Sequence, residues 1–288
     1  MGPRESRWRN AVLALILATR FADASPRGTD INGVVSIADG DPFTVIRGDE
    51  LRRGARGVTL IAGDIVETGP DTFLVVELQE GCLIGIGPSS GVYFLSRPGV
   101  ATLIVLTGWL KADIRTEAKS GTISVLGLRL GIQSQQAVVL LHADEHFDAI
   151  FDEQGSGTLL LRDTAATHID KETQPNQFFV REDRSEVVLQ PHPSADFLAR
   201  MPAAFRDTLP GQPSASSRSP LEPQRVRKVT YLDIQPWLTL PRDWRAGFIT
   251  RFRGRLKDPA FFAAMDAHLA LYPEWAPILH PKQGSEPR

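Results

Sequence analysis

From about Ile31 to Asp163 the apolar residues alternate with polar ones in short runs, and glycine-bearing turns separate the runs. Thr72 to Leu78 places Leu74, Val76 and Leu78 on one side of an extended strand. Gln79-Glu80-Gly81 then turns, and Cys82, Ile84 and Ile86 resume the alternation. Val100 to Leu106 alternates again, and His146 to Phe151 puts Phe147, Ala149 and Phe151 on one face. A period of two matches the pleat of a strand and not the helical repeat of about 3.6 residues. Runs of this kind in series, rich in branched side chains, predict a mainly β fold over 31–163, as a sandwich, barrel or solenoid.

Past Thr164 the composition shifts. Pro191-His192-Pro193 and the stretch LPGQPSASSRSPLEP, from Leu209 to Pro223, predict a Pro/Ser-rich linker over 164–225. Ser194 is a candidate cap for a short helix within it. Order is expected to return after Val226. Asp258-Pro259 marks a helix start, an acid cap followed by proline in the first turn. Phe262, Met265 and Leu269 follow at helical spacing up to Pro273, and Trp244, Phe248 and Phe252 recur every four residues. The stretch 226–282 therefore reads as a small helical C-terminal region with aromatic faces. It is too small to be stable alone and should dock on the β domain or on a partner.

Arg4, Arg7 and Arg9, the apolar run Ala11 to Thr19, and Ala22-Asp23-Ala24 have the layout of a secretory signal peptide over 1–24, with cleavage near Ala24. An uncleaved anchor is the alternative, but the run is far short of the roughly 20 residues that span a bilayer. The expected location is periplasmic or secreted, with membrane contact at most peripheral. The chain has 32 Lys and Arg against 34 Asp and Glu, a formal charge of -2; four of those arginines and two of the acids lie in 1–24, so the remainder sits near -4. That balance argues against a general nucleic-acid binder, which needs an excess of basic side chains. The single cysteine, Cys82, rules out an internal disulfide framework and reads as a buried structural thiol.

Several short motifs occur in a familiar order. Gly33-Val34-Val35 is followed by Leu60-Ile61-Ala62-Gly63-Asp64-Ile65-Val66-Glu67-Thr68-Gly69, the strand Thr72 to Leu78, and the turn Glu80-Gly81. Ile86-Gly87-Pro88-Ser89-Ser90 and Thr107-Gly108-Trp109-Leu110 complete the series. From Gly33 to about Asp163 this order resembles the FecR domain family. The resemblance implies a periplasmic β-rich module, solenoid-like or sandwich, that holds protein partners or perceives an envelope state. Some family members span the inner membrane and act on a cytoplasmic sigma factor; this sequence does not show the internal membrane helix that such signalling requires.

The most chemically suggestive motif is His142-Ala143-Asp144-Glu145-His146, which fits the inverted zinc-protease pattern H-x-x-E-H. That chemistry needs both histidines one helical turn apart on a metal, with the glutamate as general base. The flanking runs read as strands, so a hairpin turn is expected, and no metal or cofactor is assigned; a metal-dependent hydrolase using His142, Glu145 and His146 is the alternative. Asp148, Asp152 and Glu153 could form an acid pair only if they face each other across a cleft. In the C-terminal region, Arg245, Arg251 and Arg253 lie among interleaved aromatics, and with Trp275 they are the candidate partner-binding residues. The function expected from the whole is a non-enzymatic module that binds an envelope protein or an anionic glycan. A carbohydrate-binding accessory protein is a further alternative, requiring an exposed aromatic shelf on one β face.

Overall fold

The computed structural model describes residues 32–281 apart from 79–80, 96, 98–99, 116–120, 164–166, 184 and 212–220. The expected signal peptide and its cleavage site lie outside the described residues. The alternating half forms β1 (Gly33–Asp39), β2 (Thr44–Arg47), β3 (Glu50–Arg53), β4 (Thr59–Leu60), β5 (Ile65–Glu67), β6 (Phe73–Leu78), β7 (Leu83–Ile86) and β8 (Gly91–Leu95). Longer strands follow: β9 (Val100–Arg115), β10 (Thr122–Leu126), β11 (Leu130–Ala143) and β12 (Phe147–Arg162). Then come β13 (Thr167–Glu172), β14 (Gln177–Glu182) and β15 (Val188–Gln190), and much later β16 (Gln224–Lys228). The fold is mainly β with a helical C-terminal region, as expected.

These strands form one continuous open sheet that folds into two layers. The long strands pass from one layer to the other. The first half of β9 pairs with β8 and β10, and its second half with β7 and β11. The switch falls at Gly108, whose φ of +88° and whose approach to Ser89 and Ser90 exclude a Cβ. On β11 the register shifts between Gln133 and Gln136, and the next residue, Ala137, pairs with Gly155 of β12, where φ is +89°. Bulges and glycine kinks of this kind are how a strand turns a corner between packed sheets.

The alternation seen in the sequence now has a physical meaning on both faces. Leu103, Val105, Leu110, Ala112 and Ile114 of β9 point between the layers, into a core shared with Val66, Val92, Ile132 and Ile150. The opposite side chains point outward, yet they too are covered. On one layer, Ile46, Ile65, Tyr93 and Ile104 pack under α2 (Tyr231–Leu238), α3 (Phe248–Phe252), α4 (Pro259–Ala267) and α5 (Ala276–Leu279). Trp237, Trp244, Phe248, Phe252 and Trp275 are all buried there. Burying each such ring contributes roughly 2 kcal/mol, which is why a region this small holds to the sheet. Trp237 Nε1 also donates to Glu67 Oε1 at 2.8 Å, and burial under the tail raises the Glu67 pKa. No helix among the described residues is long and apolar enough to cross a membrane.

Local signals in the tail are partly as expected. Asp258 caps α4 by accepting from the Ala260 and Phe261 amides, and Ser194 caps α1 (Ala195–Arg200) through the Phe197 amide. The helix expected across Trp244 to Phe252 is shorter, since Trp244 sits in the preceding turn held by the Pro241 carbonyl. Helix α4 ends at Ala267, before Pro273, and a short 3-10 turn follows. The larger difference concerns 164–225, expected as linker. Its described residues carry three strands that extend both layers, β13 and β14 on β12 and β15 on β14. Strand β13 is exposed along nearly its whole length, so no apolar alternation announces it.

Candidate protein-docking face

The H-x-x-E-H residues lie on a β-hairpin. His142 is on β11, Ala143 pairs with Asp148, and Asp144 turns the chain by accepting from the His146 and Phe147 amides. His142 is buried, stacked on Trp109 with ring centroids 4.2 Å apart, and its Nδ1 donates to the Gly108 carbonyl at 2.9 Å. Desolvation lowers its pKa. His146 is exposed and lies 3.7 Å from Asp183. The helical turn that would bring both rings to one metal is absent here, and no cluster of three metal-ligating side chains occurs among the described residues. The hydrolase reading therefore loses its geometry.

The neighbouring acids are separated by the pleat. Asp148 and Asp152 point inward, whereas Glu153 points outward to Lys111 Nζ at 2.7 Å. Burial pushes the Asp148 pKa up to about 6, against hydrogen bonds from the Leu130 and Arg129 amides and the Arg129 guanidinium. Asp152 is likewise pushed up to about 6 by burial; its Oδ2 accepts from Thr173 at 2.6 Å, while Oδ1 has no partner. These groups tie loops to the sheet and do not face one another across a cleft.

Three of the four arginine and tryptophan candidates are used inside the chain. Trp275 is buried, and Arg245 pairs with Glu274 at 3.0 Å while donating to the Leu238 carbonyl. Arg251 donates to the carbonyls of Gly48, Gly63 and Ile46, each at 2.6 Å, and lies over the Phe252 ring. Only Arg253 of this set is exposed. The basic stretch is thus a docking device for the tail, because guanidinium forks suit clustered turn carbonyls. The FecR-like motif residues are structural too. Asp64 accepts from Arg47 Nε and Nη2 at 2.9 and 2.6 Å, and Thr68 Oγ1 bridges the Gly87 carbonyl and the Ser90 amide.

The opposite layer carries the feature that sequence reading missed. Its outer face presents Phe73, Leu83, Trp109, Leu140, Phe151 and Phe178, and residues 194–209 lie across it as a strap. Phe197, Met201, Phe205 and Leu209 insert their side chains, one at every fourth position. Phe197 meets Trp109 and Phe178 at centroid distances of 5.0 and 4.8 Å. Gly85 and Gly87 make room for the other end. A Cβ on Gly85 would lie 2.7 Å from Phe205 and 2.8 Å from Leu209. The four-residue spacing was visible in the sequence, but Pro202 interrupts it and splits the strap into α1 and a 3-10 turn.

The strap covers the apolar end of this face and leaves the polar end open. Beyond Lys111, β9 presents Asp113 and Arg115, bonded to each other at 2.7 and 2.6 Å. Across from them, Gln136 and Gln154 flank the bulge fixed by Ser134, whose hydroxyl donates to the Ser156 carbonyl at 2.6 Å. Together they line an open cleft of about 840 Å³. Its lining is mixed: amides, hydroxyls, the Asp113–Arg115 pair and Glu172 alternate with Ile114, Ala137, Val138 and Ile169. The exposed large apolar residues among those described, such as Ile169 at the cleft rim, are aliphatic, and no aromatic shelf of the kind a sugar ring stacks on is exposed among them.

No family model matches the chain, and no curated protein does. Similar solved structures include two crystal structures, at 1.65 and 2.50 Å, each described as "a putative anti-sigma factor from Parabacteroides distasonis ATCC 8503". The first aligns with a TM-score of 0.39 and 9% identity over 47% of this chain and 63% of that one. The second aligns with a TM-score of 0.39 and 8% identity over 47% and 62%. The chain spans less than two thirds of the length of either.

Proposed function

We propose that this chain is a non-catalytic, FecR-like module of the cell envelope that binds a protein partner at the open cleft where β9, β11 and β12 pass between the layers. The observation that carries the reading is the cleft itself, whose exposed Gln136, Gln154 and Ser156 border the Asp113–Arg115 pair where β9, β11 and β12 pass between the layers. Amides and hydroxyls on bent strands suit the main chain and polar side chains of a polypeptide. The exposed aliphatic surface favours a protein over a glycan.

The test is a photo-crosslinking residue at Gln136, compared with one at Asp266 on the tail-side helix α4, in intact cells. One envelope protein captured near stoichiometrically from position 136 and not from position 266 supports the reading. Equal capture from both positions, or none from 136, overturns it.

A further inference from the structure

The wall that β12 gives the cleft is Gly155-Ser156-Gly157, a segment with almost no side chain to anchor it. Its backbone is held from outside by two hydroxyls. On the β11 side Ser134 donates to the Ser156 carbonyl at 2.6 Å. On the other side β12 leaves β14 after the Asp152–Gln177 pair and takes up β13 at the Thr158–Glu172 pair. Thr173 closes the fork between them. Its amide donates to the Gly157 carbonyl at 2.7 Å. Its Oγ1 accepts from the Gly157 amide at 2.8 Å and lies 3.1 Å from the Gly157 carbonyl. The same Oγ1 lies 2.6 Å from Asp152 Oδ2. Thr173 and Asp152 are both buried, and Asp152 Oδ1 has no hydrogen-bond partner.

A threonine hydroxyl has one hydrogen and two lone pairs, so these contacts cannot all be made in both protonation states of the acid. With Asp152 ionised, the hydroxyl hydrogen goes to the carboxylate, because bonds to charged acceptors are the stronger ones. The Gly157 carbonyl then loses the hydroxyl, and the second carboxylate oxygen holds buried charge without a donor, which is costly. With Asp152 protonated on Oδ2, the acid donates to Thr173 Oγ1 and the threonine hydroxyl turns to the Gly157 carbonyl. Oγ1 then accepts twice and donates once, and every contact is satisfied. We infer that Asp152 is a proton-dependent latch on the cleft: in its acid form it locks the Gly155–Gly157 wall through Thr173, and in its ionised form it leaves that wall loose. This rests on the reading of the cleft as the binding face and adds its regulation, with the wall ordered for a partner in acid conditions. Burial is what raises the Asp152 pKa, to about 6, and the Thr173 bond acts against it. The charged groups of the surrounding strands are engaged elsewhere. On β12, Glu153 faces outward to Lys111 of β9, and Asp148 is held by Arg129. On β9, Asp113 holds Arg115; on β13, Glu172 accepts from Thr158, and Lys171 lies over Phe179 beside Asp170. On β14, Arg181 bonds Asp163, and Glu182 pairs with Phe147 at the far end; on β11, His142 stacks on Trp109.

The test is amide hydrogen exchange on the purified full-length chain from about pH 4 to about pH 8, corrected for intrinsic rates, alongside the NMR titration of the Asp152 carboxyl. The latched state binds the proton more tightly, so the latch is complete below about pH 3.8 and is lost as the pH rises through about 6. Opening at the Gly157 and Thr173 amides is expected to become up to roughly 100-fold more frequent between about pH 4 and pH 6 and to level off above that, the factor following from a carboxyl pKa of about 6 when latched and 3.8 when open. In D152N the amide nitrogen donates to Thr173 Oγ1 at every pH, as the acid does, so the wall should stay closed throughout. T173V lacks the hydroxyl and should open readily across the whole range. A wall whose opening does not change with pH in the unaltered chain overturns the inference, as does the same rise in D152N or in T173V. Should the variants not fold, the carboxyl titration of the unaltered chain decides. Asp152 titrating near pH 6 in step with the Gly157 amide shift supports the latch, and titration near pH 4 overturns it. Both readouts are made without a partner, so the latch and the docking role of the cleft fail separately.

Discussion

Replacing Arg251 by methionine will loosen the C-terminal helices from the sheet. The guanidinium is the point where α3 grips the turn after β2 and the Gly63 turn, through three carbonyls at 2.6 Å. Charge-assisted bonds of this type contribute about 1.5–3 kcal/mol each before the cost of desolvation. That cost is large here. No carboxylate bonds Arg251 directly, and burial brings its pKa down to about 10. Methionine keeps the stem against Phe252 and deletes the bonds, leaving buried carbonyls without their donor, so the net loss is about 3 kcal/mol. For a chain of this size that lowers the thermal midpoint by roughly 6–12 °C. The control is R253A, two residues away, where the side chain is exposed and a change within about 0.5 kcal/mol is expected. Urea unfolding with the intrinsic fluorescence of Trp237 and Trp244 reads both variants. An unchanged midpoint in R251M, or an equal loss in R253A, would refute the assignment of Arg251 to internal docking.

Two further outcomes follow from buried groups. Asp148 and Asp152 bind their protons more tightly in the folded chain, near pH 6, than at the ordinary 3.8. Their stabilising contribution is therefore complete below about pH 3.8 and is lost as the pH rises through about 6. D152N removes one such charge, so at pH 8 it should be more stable than the unaltered chain by on the order of 1–2 kcal/mol, with the advantage vanishing at pH 4; parallel stability curves from pH 4 to 8 would contradict this. Cys82 is buried on the way into β7. A maleimide should label it only when denaturant unfolds the sheet, and rapid labelling of the native chain would show the thiol to be accessible.

Where side-chain chemistry has one dominant demand, the sequence was legible. The alternation from Thr72 to Leu78 became β6, and the polar turn between two strand-like runs became the hairpin at Asp144. Asp258-Pro259 and Ser194 announced their helices because a cap acts over three residues. The rest depended on long-range context. Strands β13 and β15 lie at the ends of their layers and face solvent, so their composition mimics a linker. The arginines of the tail read as a surface because charge normally marks one; only the fold reveals turn carbonyls opposite Arg251. The floor under the strap was hidden for a similar reason. It comes from β6, β7, β9, β11, β12 and β14, and two of its determinants are glycines, whose contribution is the absence of a side chain.

The three strands that pass through both layers give the molecule a particular mechanical character. In a sandwich built from separate sheets, the layers can shear past one another at the cost of side-chain contacts. Here β9, β11 and β12 are continuous covalent struts pinned at Gly108, Gly155 and the Gln133–Gln136 shift. Sliding one layer would have to bend three backbones at once, so the sheets move as a single stiff body. A load applied at the strap is consequently borne by the same struts that support the tail helices on the far side.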